Sequence, residues 1–354
     1  MTSLVTGGCG FVGRHLVRRL LELGHDLWII DDLSTGLHPD RWLGGSLQAG
    51  AAGHAVEYHF GSRKVTFIHE DLSVTMLKQL GTIKGEKVDF PKFDFVFALA
   101  SVVGGRATIE GDPMHVAVDL GIDALFFLWL VRNAKNVGKV LYASSSAAYP
   151  IKLQAKTGHV ALREETIDFT TGELGQPDMT YGWSKLTGEY LSHLAATQYG
   201  IHIGCVRPFS GYGEDQDLSY PVPAIAYRVA RGDDPVAVWG TGEQGRDFVH
   251  IEDCITAMIL TTDRVGDGSG INIGTGTLTT FLEVAGLFVK LAGRRATVLP
   301  TIGKPVGVQS RYCDPCHMEN VLGWRPGISL KAGFQRVLDA AYQRVELLGK
   351  AAIV

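Results

Sequence analysis

No uninterrupted apolar run in this chain reaches the length of a membrane span; the longest, Ala124 to Val131, reads as a segment of core helix. Nor is there a basic stripe. Lys and Arg number 33 against 37 Asp and Glu, interspersed, for a net charge of −4, which argues against nucleic acid as a partner. Cysteine is scarce, at 5 and mostly isolated, and no N-x-[ST] glycosylation signal occurs. Both absences fit a reducing compartment, so a cytoplasmic protein is expected. The first residues enter a strand and a glycine turn at once, so no signal peptide is expected. Cys313-Asp314-Pro315-Cys316-His317 matches the C-x-x-C-H pattern of covalent haem attachment. Nothing else supplies export or an axial partner, so this segment reads as structural and no metal is expected.

What the chain does have, at 354 residues and 45% hydrophobic, is enough apolar material for a large core in one domain or two. Ser3 to Thr6 reads as a buried strand, followed by Gly7, Gly10 and Gly13 in a G-x-x-G-x-x-G turn. An amphipathic helix from Phe11 and Val12 to about Leu23 comes next, ended by Gly24. Strand, glycine turn and helix form the dinucleotide fingerprint, in which the backbone approaches a pyrophosphate at the helix N-terminus. The second strand, Asp26 to Ile30, ends in Asp31-Asp32. An acid about twenty residues beyond the glycines accepts hydrogen bonds from the adenosine ribose and repels a 2′-phosphate. NAD is therefore the expected cofactor, with Asp31 the first ribose ligand, Asp32 beside it, and Ser34, Thr35 and Gly36 in the turn that follows. The other reading is an acid that merely caps that turn.

Residues 37–63 are glycine-rich and weakly periodic, an excursion. Val65 to His69 is a third strand, with Asp71 and Leu72 bordering the adenine. Phe93 to Leu99 is a fourth, near-continuously apolar as parallel strands buried on both faces are. Small residues around Leu99, Ala100 and Ser101 let a nicotinamide lie close, and a loop from Val102 to Arg106 follows at the strand's carboxyl end. One helix from Met114 to Asn136, apolar over most of its circumference, is expected to pack on the sheet and on a partner subunit. Lys139 to Ala143 delivers Ser144-Ser145-Ser146, a helix from Asp178 to Tyr199 carries Tyr181 and Lys185, and Ile201 to Arg207 is a sixth strand. Strands alternating with helices predict an α/β doubly wound parallel sheet of the Rossmann kind over residues 1–207. Residues 208–354 read as a smaller mixed substrate-binding region, interleaved with the last pieces of the sheet.

The catalytic reading centres on Tyr181 and Lys185. Four residues apart on a helix they share a face, and an ammonium there favours the phenolate, so the tyrosine can act as a general base. A serine hydroxyl from Ser145 or Ser146 would hold the same substrate oxygen.

Together the stretches TGGCGFVG, DDLSTG, ALAS, SSSAAYP, YGWSKLTGEY, RPFSGYG, RDFVHIEDC and RYCDPCHMENVLGWRP, in that order, resemble the extended short-chain dehydrogenase/reductases that act on nucleotide sugars, the NAD-dependent epimerase/dehydratase family. The likeness covers nearly the whole chain. It implies that Tyr181 is the base, that Lys185 holds the nicotinamide ribose, and that Ser145, four residues before Tyr149, steadies the reacting hydroxyl, with Ser146 the alternative. Substrate contacts are expected at Val103, Gly104, Ser210 and Tyr220, and Arg106 reads equally as an anion contact or a solvated loop arginine; the likeness implies diphosphate binding by Arg246 and Arg311 and a homodimer through a four-helix interface. The other reading of Arg246 is a surface salt bridge to Asp247.

Departures from the family pattern narrow the chemistry. The Asp-Glu pair of the 4,6-dehydratases is replaced by Ser146 and Ala147, and Ala147 also stands where the sugar-acid decarboxylases carry Glu and the GDP-fucose synthase and 3,5-epimerase branch carries Cys. That branch's second acid/base falls near Tyr220, and Ser210 replaces an Asn. The expected activity is a 4-epimerase on a GDP- or UDP-hexose, oxidising carbon 4 and returning the hydride. A net 4-dehydrogenase and a 3,5-epimerase or dehydratase remain alternatives. A non-catalytic dinucleotide sensor is the competing class, disfavoured by the intact Tyr-Lys pair.

Overall fold

Near-continuous apolar strands separated by amphipathic helices build a single wound sheet. The computed structural model describes residues 1–351 except 45, 49–54, 105, 156–158, 172 and 305, with side chains described throughout that set apart from 46–48, 106–108 and 349–351. In chain order the first elements are β1 (Thr2–Thr6), α1 (Phe11–Glu22), β2 (Asp26–Asp31), β3 (Ser46–Gln48), β4 (Ala55–Phe60), β5 (Arg63–His69), α2 (Leu72–Gln79) and β6 (Phe93–Ala98). Next come α3 (Arg106–Gly111), α4 (Pro113–Val116), α5 (Val118–Arg132), β7 (Val137–Ala143), α6 (Met179–Tyr199) and β8 (Ile203–Pro208). The remainder comprises β9 (Ser210–Tyr212), α7 (Pro221–Arg231), β10 (Val236–Trp239), β11 (Gly245–Arg246), β12 (Phe248–His250), α8 (Ile251–Arg264) and β13 (Asp267–Ile273). It closes with β14 (Thr279–Thr280), α9 (Phe281–Leu291), β15 (Val298–Thr301), β16 (Ser310–Arg311), α10 (Cys316–Leu322) and α11 (Leu330–Ala351).

The main sheet has 9 strands in the order β13-β8-β7-β6-β1-β2-β5-β4-β3. Every pair from β13 to β5 is parallel, and β4 and β3 add an antiparallel ribbon at one edge. That ribbon corrects the expected excursion over 37–63. Its ladder runs from Ala55↔Ile68 to Phe60↔Arg63, so the weakly patterned segment is held by main-chain bonds to β5 and by Ala55 and Tyr58, which enter the cores. Part of the segment, 45 and 49–54, lies outside the described residues.

Helices cover both faces. On one side Leu16, Val17 and Leu20 of α1 share a core with Ile255 and Met258 of α8 and Met318 and Leu322 of α10. On the other, Leu72 and Met76 of α2 meet Phe126, Trp129 and Leu130 of α5 and Ala195 of α6. A third core joins α7, α9 and α11, where Phe288 stacks on Phe334 with ring centroids 4.6 Å apart. Of residues 208–354, expected to interleave with the last pieces of the sheet, β13 joins the main sheet and α8 packs into its core.

The single helix expected from Met114 to Asn136 is interrupted. A turn at Ala117 separates α4 from α5, and a 3₁₀ turn spans Ala134–Asn136. Contrary to the run-length reading, the stretch Pro113–Arg132 is long and apolar enough to cross a membrane, and 44% of its most apolar window is buried within the chain. Ile122, Phe126 and Leu130 enter the core, while Met114, Leu128 and, on α6, Trp183 and Tyr190 stay exposed.

One close approach fixes α6 against the sheet. A Cβ at Gly188 would stand 1.9 Å from the Tyr142 hydroxyl, which passes the helix to reach Asp123 Oδ2 at 2.6 Å. Gly188→Ala is therefore expected to cost about 2–3 kcal/mol by overpacking. Thermal unfolding checks this, and an unchanged melting temperature would mean that the contact yields freely.

Candidate active site

The glycine loop is shaped by its own backbone. Gly7 has φ +68, and a Cβ there would lie 2.8 Å from Ala100 N; at Gly13 a Cβ would lie 2.2 Å from Gly7 O, where α1 crosses the loop. Gly10 is the N-cap of α1, makes no side-chain capping bond, and is followed by no acid in the first turn. A Cβ at Gly10 would meet only Gly7 O, at 3.4 Å. The helix thus presents unspent amides and its positive end to open space, which suits a pyrophosphate. Phe11 and Val12 are half-buried behind it.

Asp31 braces this loop from β2. Its Oδ2 accepts from Cys9 N and its Oδ1 from Leu33 N, both at 2.8 Å. Burial pushes its carboxyl up, against the two amide bonds that favour the charge. Asp32 is exposed and accepts from Ser34 N, and the turn Ser34-Thr35-Gly36 folds back so that a Cβ at Gly36 would lie 3.0 Å from Asp31 Oδ1. Asp31 also serves as the turn brace of the alternative reading, with lone pairs left over for a ribose. Asp71 Oδ1 caps α2 through Ser73 N and Val74 N, and Leu72 buries its side chain in the core, leaving its backbone to an adenine. Thr6 Oγ1 accepts from Leu99 N and Ala100 N, and Ser101 Oγ donates to Asp119 Oδ2 at 2.6 Å. Val103 is exposed and Gly104 half-buried; Gly105 and the Arg106 side chain lie outside the described residues.

Tyr181 and Lys185 sit in the first turns of α6 with Lys185 Nζ 5.6 Å from the Tyr181 ring centroid and 5.4 Å from that of Tyr142. Lys185 is 3% exposed. Burial works against its ammonium, but Tyr181, Asp119 and Asp123 outweigh it and hold its pKa above the usual lysine value. Asp119 and Asp123 were not anticipated as site residues. Their signal was present as two acids at helical spacing in an otherwise apolar helix. Ser145 is half-buried at the end of β7 and its Oγ accepts from Ala147 N at 3.1 Å; Ser146 and Ala147 are 2% and 4% exposed.

Tyr220 stands at the N-cap position of α7 without a side-chain capping bond. Burial first, then Tyr181 and Asp217, push its hydroxyl up to about 12, so it is a proton donor at neutral pH. Arg246 and Arg311 are directly paired residues on the parallel strands β11 and β16, which puts their side chains on one face. Arg246 donates to the carbonyls of Gly245 and Val308 and lies over the Phe281 ring, whereas Asp247 turns inward to Thr275, Gly276 and Cys313; the surface Arg246–Asp247 bridge is not formed. Arg311 Nη2 binds Asp178 Oδ2 at 2.6 Å, tying the residue before α6 to β16. Met179, next along, has φ +60. Ser210 N donates to Asp247 O at 2.8 Å. Cys313 Sγ contacts Asp247 Oδ2 at 3.3 Å, and burial raises its thiol pKa strongly, so the C-x-x-C-H segment is a packing element with Cys316 exposed beside it.

Comparison with known proteins gives the family of the chain. A family model described as the NAD dependent epimerase/dehydratase family matches residues 3–274. The chain is 29% identical over 353 residues to an uncharacterized UDP-glucose epimerase of Bacillus subtilis, covering 97% of this chain and 99% of that one. It is 25% identical over 350 residues to the UDP-glucose 4-epimerase of Mycolicibacterium smegmatis, covering 96% and 98%. Among solved structures, a UDP-glucuronic acid 4-epimerase of Bacillus cereus, crystallised with UDP-glucuronic acid and NAD, superposes with a TM-score of 0.76 at 25% identity, covering 97% of this chain and 100% of that chain. The chain belongs to the NAD-dependent epimerase/dehydratase family, and its cofactor is NAD.

Proposed function

We propose that the protein is a nucleotide-sugar 4-epimerase acting on an NDP-hexose, with a UDP-hexose the first substrate to try. The observation that carries this reading is that the buried Lys185 ammonium lies 5.6 Å from the ring of the half-buried Tyr181, while the positions where a dehydratase carries its acids are Ser146 and Ala147, both buried. Bound NAD supplies the hydride acceptor and, once reduced, the donor. Tyr181 takes the proton from the carbon-4 hydroxyl and later returns it, with Ser145 hydrogen-bonded to the same oxygen. The paired Arg246 and Arg311 grip the diphosphate, so that the keto sugar can turn over while its nucleotide stays bound. The relatives named as UDP-glucose epimerases over nearly their whole length support this choice.

A second reading rests on Tyr220. A protonated hydroxyl opposite Tyr181 could serve proton exchange beside a ring ketone, as a 3,5-epimerase needs. Incubation with UDP- and GDP-hexoses in heavy water separates the two. Inversion at carbon 4 with no deuterium in the product is the expected result. Deuterium at carbon 3 or 5 would move the chemistry to Tyr220, and an accumulating keto sugar would make the enzyme a net 4-dehydrogenase. Tyr181→Phe is expected to lower kcat at least a hundredfold with little change in KM, the usual scale of losing a general base.

The Asp31 brace yields a binding prediction. Asp31→Ala removes the acceptor of Cys9 N and Leu33 N and the ribose ligand together. Calorimetric titration is expected to show NAD affinity down about tenfold or more, the loss of hydrogen bonds to a charged acceptor, and NADP gaining relative to NAD.

The exposed apolar residues of α4, α5 and α6 support a homodimer through these helices. Sedimentation is expected to give twice the 38.3 kDa chain mass, and Leu128→Glu with Trp183→Glu to give the monomer. A monomeric wild type would sink the dimer.

A further inference from the structure

We propose that Arg14 and Asp215 are positioning residues of the cofactor site: their ion pair ties the loop between β9 and α7 to the glycine loop, and that tie keeps NAD bound from one turnover to the next. The proposal rests on NAD lying at the glycine loop, and not on which sugar is turned over.

The two residues are 201 apart in sequence and meet at 3.0 Å, Arg14 Nη2 donating to Asp215 Oδ2. Arg14 also donates through Nη1 to Cys9 O at 3.0 Å, and Cys9 N donates to Asp31 Oδ2 at 2.8 Å. A continuous line of hydrogen bonds therefore runs from Asp215, through Arg14 and the backbone of the glycine loop, to the acid expected to take the adenosine ribose. Arg14 is 4% exposed, and among the described residues Asp215 is the one carboxylate paired with it. A guanidinium buried to that degree is kept by a partner of opposite charge, so the loop does not leave α1 without stranding it.

The loop comes to this contact already anchored. Asp215 Oδ1 lies 2.8 Å from His15 Nε2, and His15 packs edge-on to Phe11 with ring centroids 5.4 Å apart. Burial raises the Asp215 carboxyl, but His15 and Arg14 outweigh it and hold it well below the usual carboxylate range, so it is charged at neutral pH. The neighbouring Glu214 is bound elsewhere, 3.3 Å from His250 Nε2 and 2.5 Å from Arg336 Nε of α11. Each of two consecutive acids thus has one histidine and one arginine, and the two sets come from different helices. Just before them the loop lies close on α1: a Cβ at Gly213 would stand 2.7 Å from Ile251 Cγ2 and 3.1 Å from Phe11 Cζ. Phe11 opens the helix at whose start the pyrophosphate is placed. Because Glu214 is fixed, the Arg14–Asp215 pair is a brace and not a loose tether. It holds the glycine loop in its binding shape before NAD arrives, which lowers the cost of binding.

Retention of radiolabelled NAD by the holoenzyme, chased with excess unlabelled NAD and with no sugar present, tests this. Arg14→Met keeps the length of the side chain and leaves no cation buried. It is expected to release NAD at least tenfold faster than wild type, the scale of losing hydrogen bonds from a charged donor. Asp215→Asn, which keeps the shape and gives up the charge, should release it faster as well, by less. The double variant should match Arg14→Met alone, since Asp215 reaches the glycine loop through Arg14. Thermal unfolding of the apoenzymes separates this from a purely structural role. A lower melting temperature with wild-type release in Arg14→Met would overturn the proposal and leave the pair as a packing feature; if Arg14→Met does not fold, wild-type release in Asp215→Asn does the same. Release in the double variant at the product of the two single effects would also overturn it, because the residues would then act on NAD separately. Failure of the 4-epimerase reading leaves the retention times as predicted, because no sugar enters the assay.

Discussion

Glu189 and Arg207 form a buried ion pair on which the geometry behind the active site depends. Both side chains are nearly inaccessible, at 2% and 3%, and Arg207 Nη2 reaches Glu189 Oε2 at 2.6 Å. Taking two such charges out of water costs several kcal/mol per ion, recovered only when the remaining donors and lone pairs are also met. Here they are. Ser144 Oγ donates to Glu189, while Arg207 Nη1 donates to the Tyr149 hydroxyl and to Glu164 O. The Tyr149 hydroxyl donates to Asn272 Oδ1, and Asn272 Nδ2 donates to Leu162 O. The carboxyl end of β7, α6, β8, β13 and the 162–164 segment are thereby fixed to one another at one point. A buried pair of this kind is weak evidence of stability in itself. Its effect is to admit one arrangement, because any slip strands a charge.

The same helix carries a second buried charge one turn earlier. Lys185 and Glu189 are four residues apart and of opposite sign, yet each finds its counter-charges in a different direction: Lys185 in α5, Glu189 in β8. α6 is thus held by the Glu189–Arg207 pair on one side and by the close Gly188–Tyr142 approach beside α5. Among the described residues no hydrogen bond engages the half-buried Tyr181 hydroxyl. At the helix start, Arg311 secures Asp178 and the Asp178 amide donates to Ala147 O, which restrains Met179 in its left-handed conformation.

Legibility in the sequence followed the range of the forces involved. The glycine loop, the acid after β2 and the Tyr181–Lys185 spacing were readable because each depends on neighbours a few residues away. The β3–β4 ribbon was not, since an edge strand tied by main-chain bonds needs no strong alternation of its own. The break at Ala117 was hidden in apolar residues that would have continued a helix equally well. Asp119 and Asp123 were visible as charges in the wrong place, but their meaning required α6 beside them. The pairing of Arg246 with Arg311, and of Arg311 with Asp178 across 133 residues, belongs to strand register and tertiary packing and leaves no local trace.

β13 comes from beyond the expected boundary and completes the sheet against β8, with Ile271↔Val206 and Asn272↔Arg207 as register partners. The division between cofactor and substrate regions is accordingly a division of labour and not of material. A fragment ending at the boundary would bare the main-chain groups of β8 along an apolar edge and leave the Tyr149 hydroxyl without Asn272. Such an edge pairs with other chains, so truncation there would yield an associating species and not a free dinucleotide-binding unit. Recombination of the two halves between relatives would have to carry β13 along with β8.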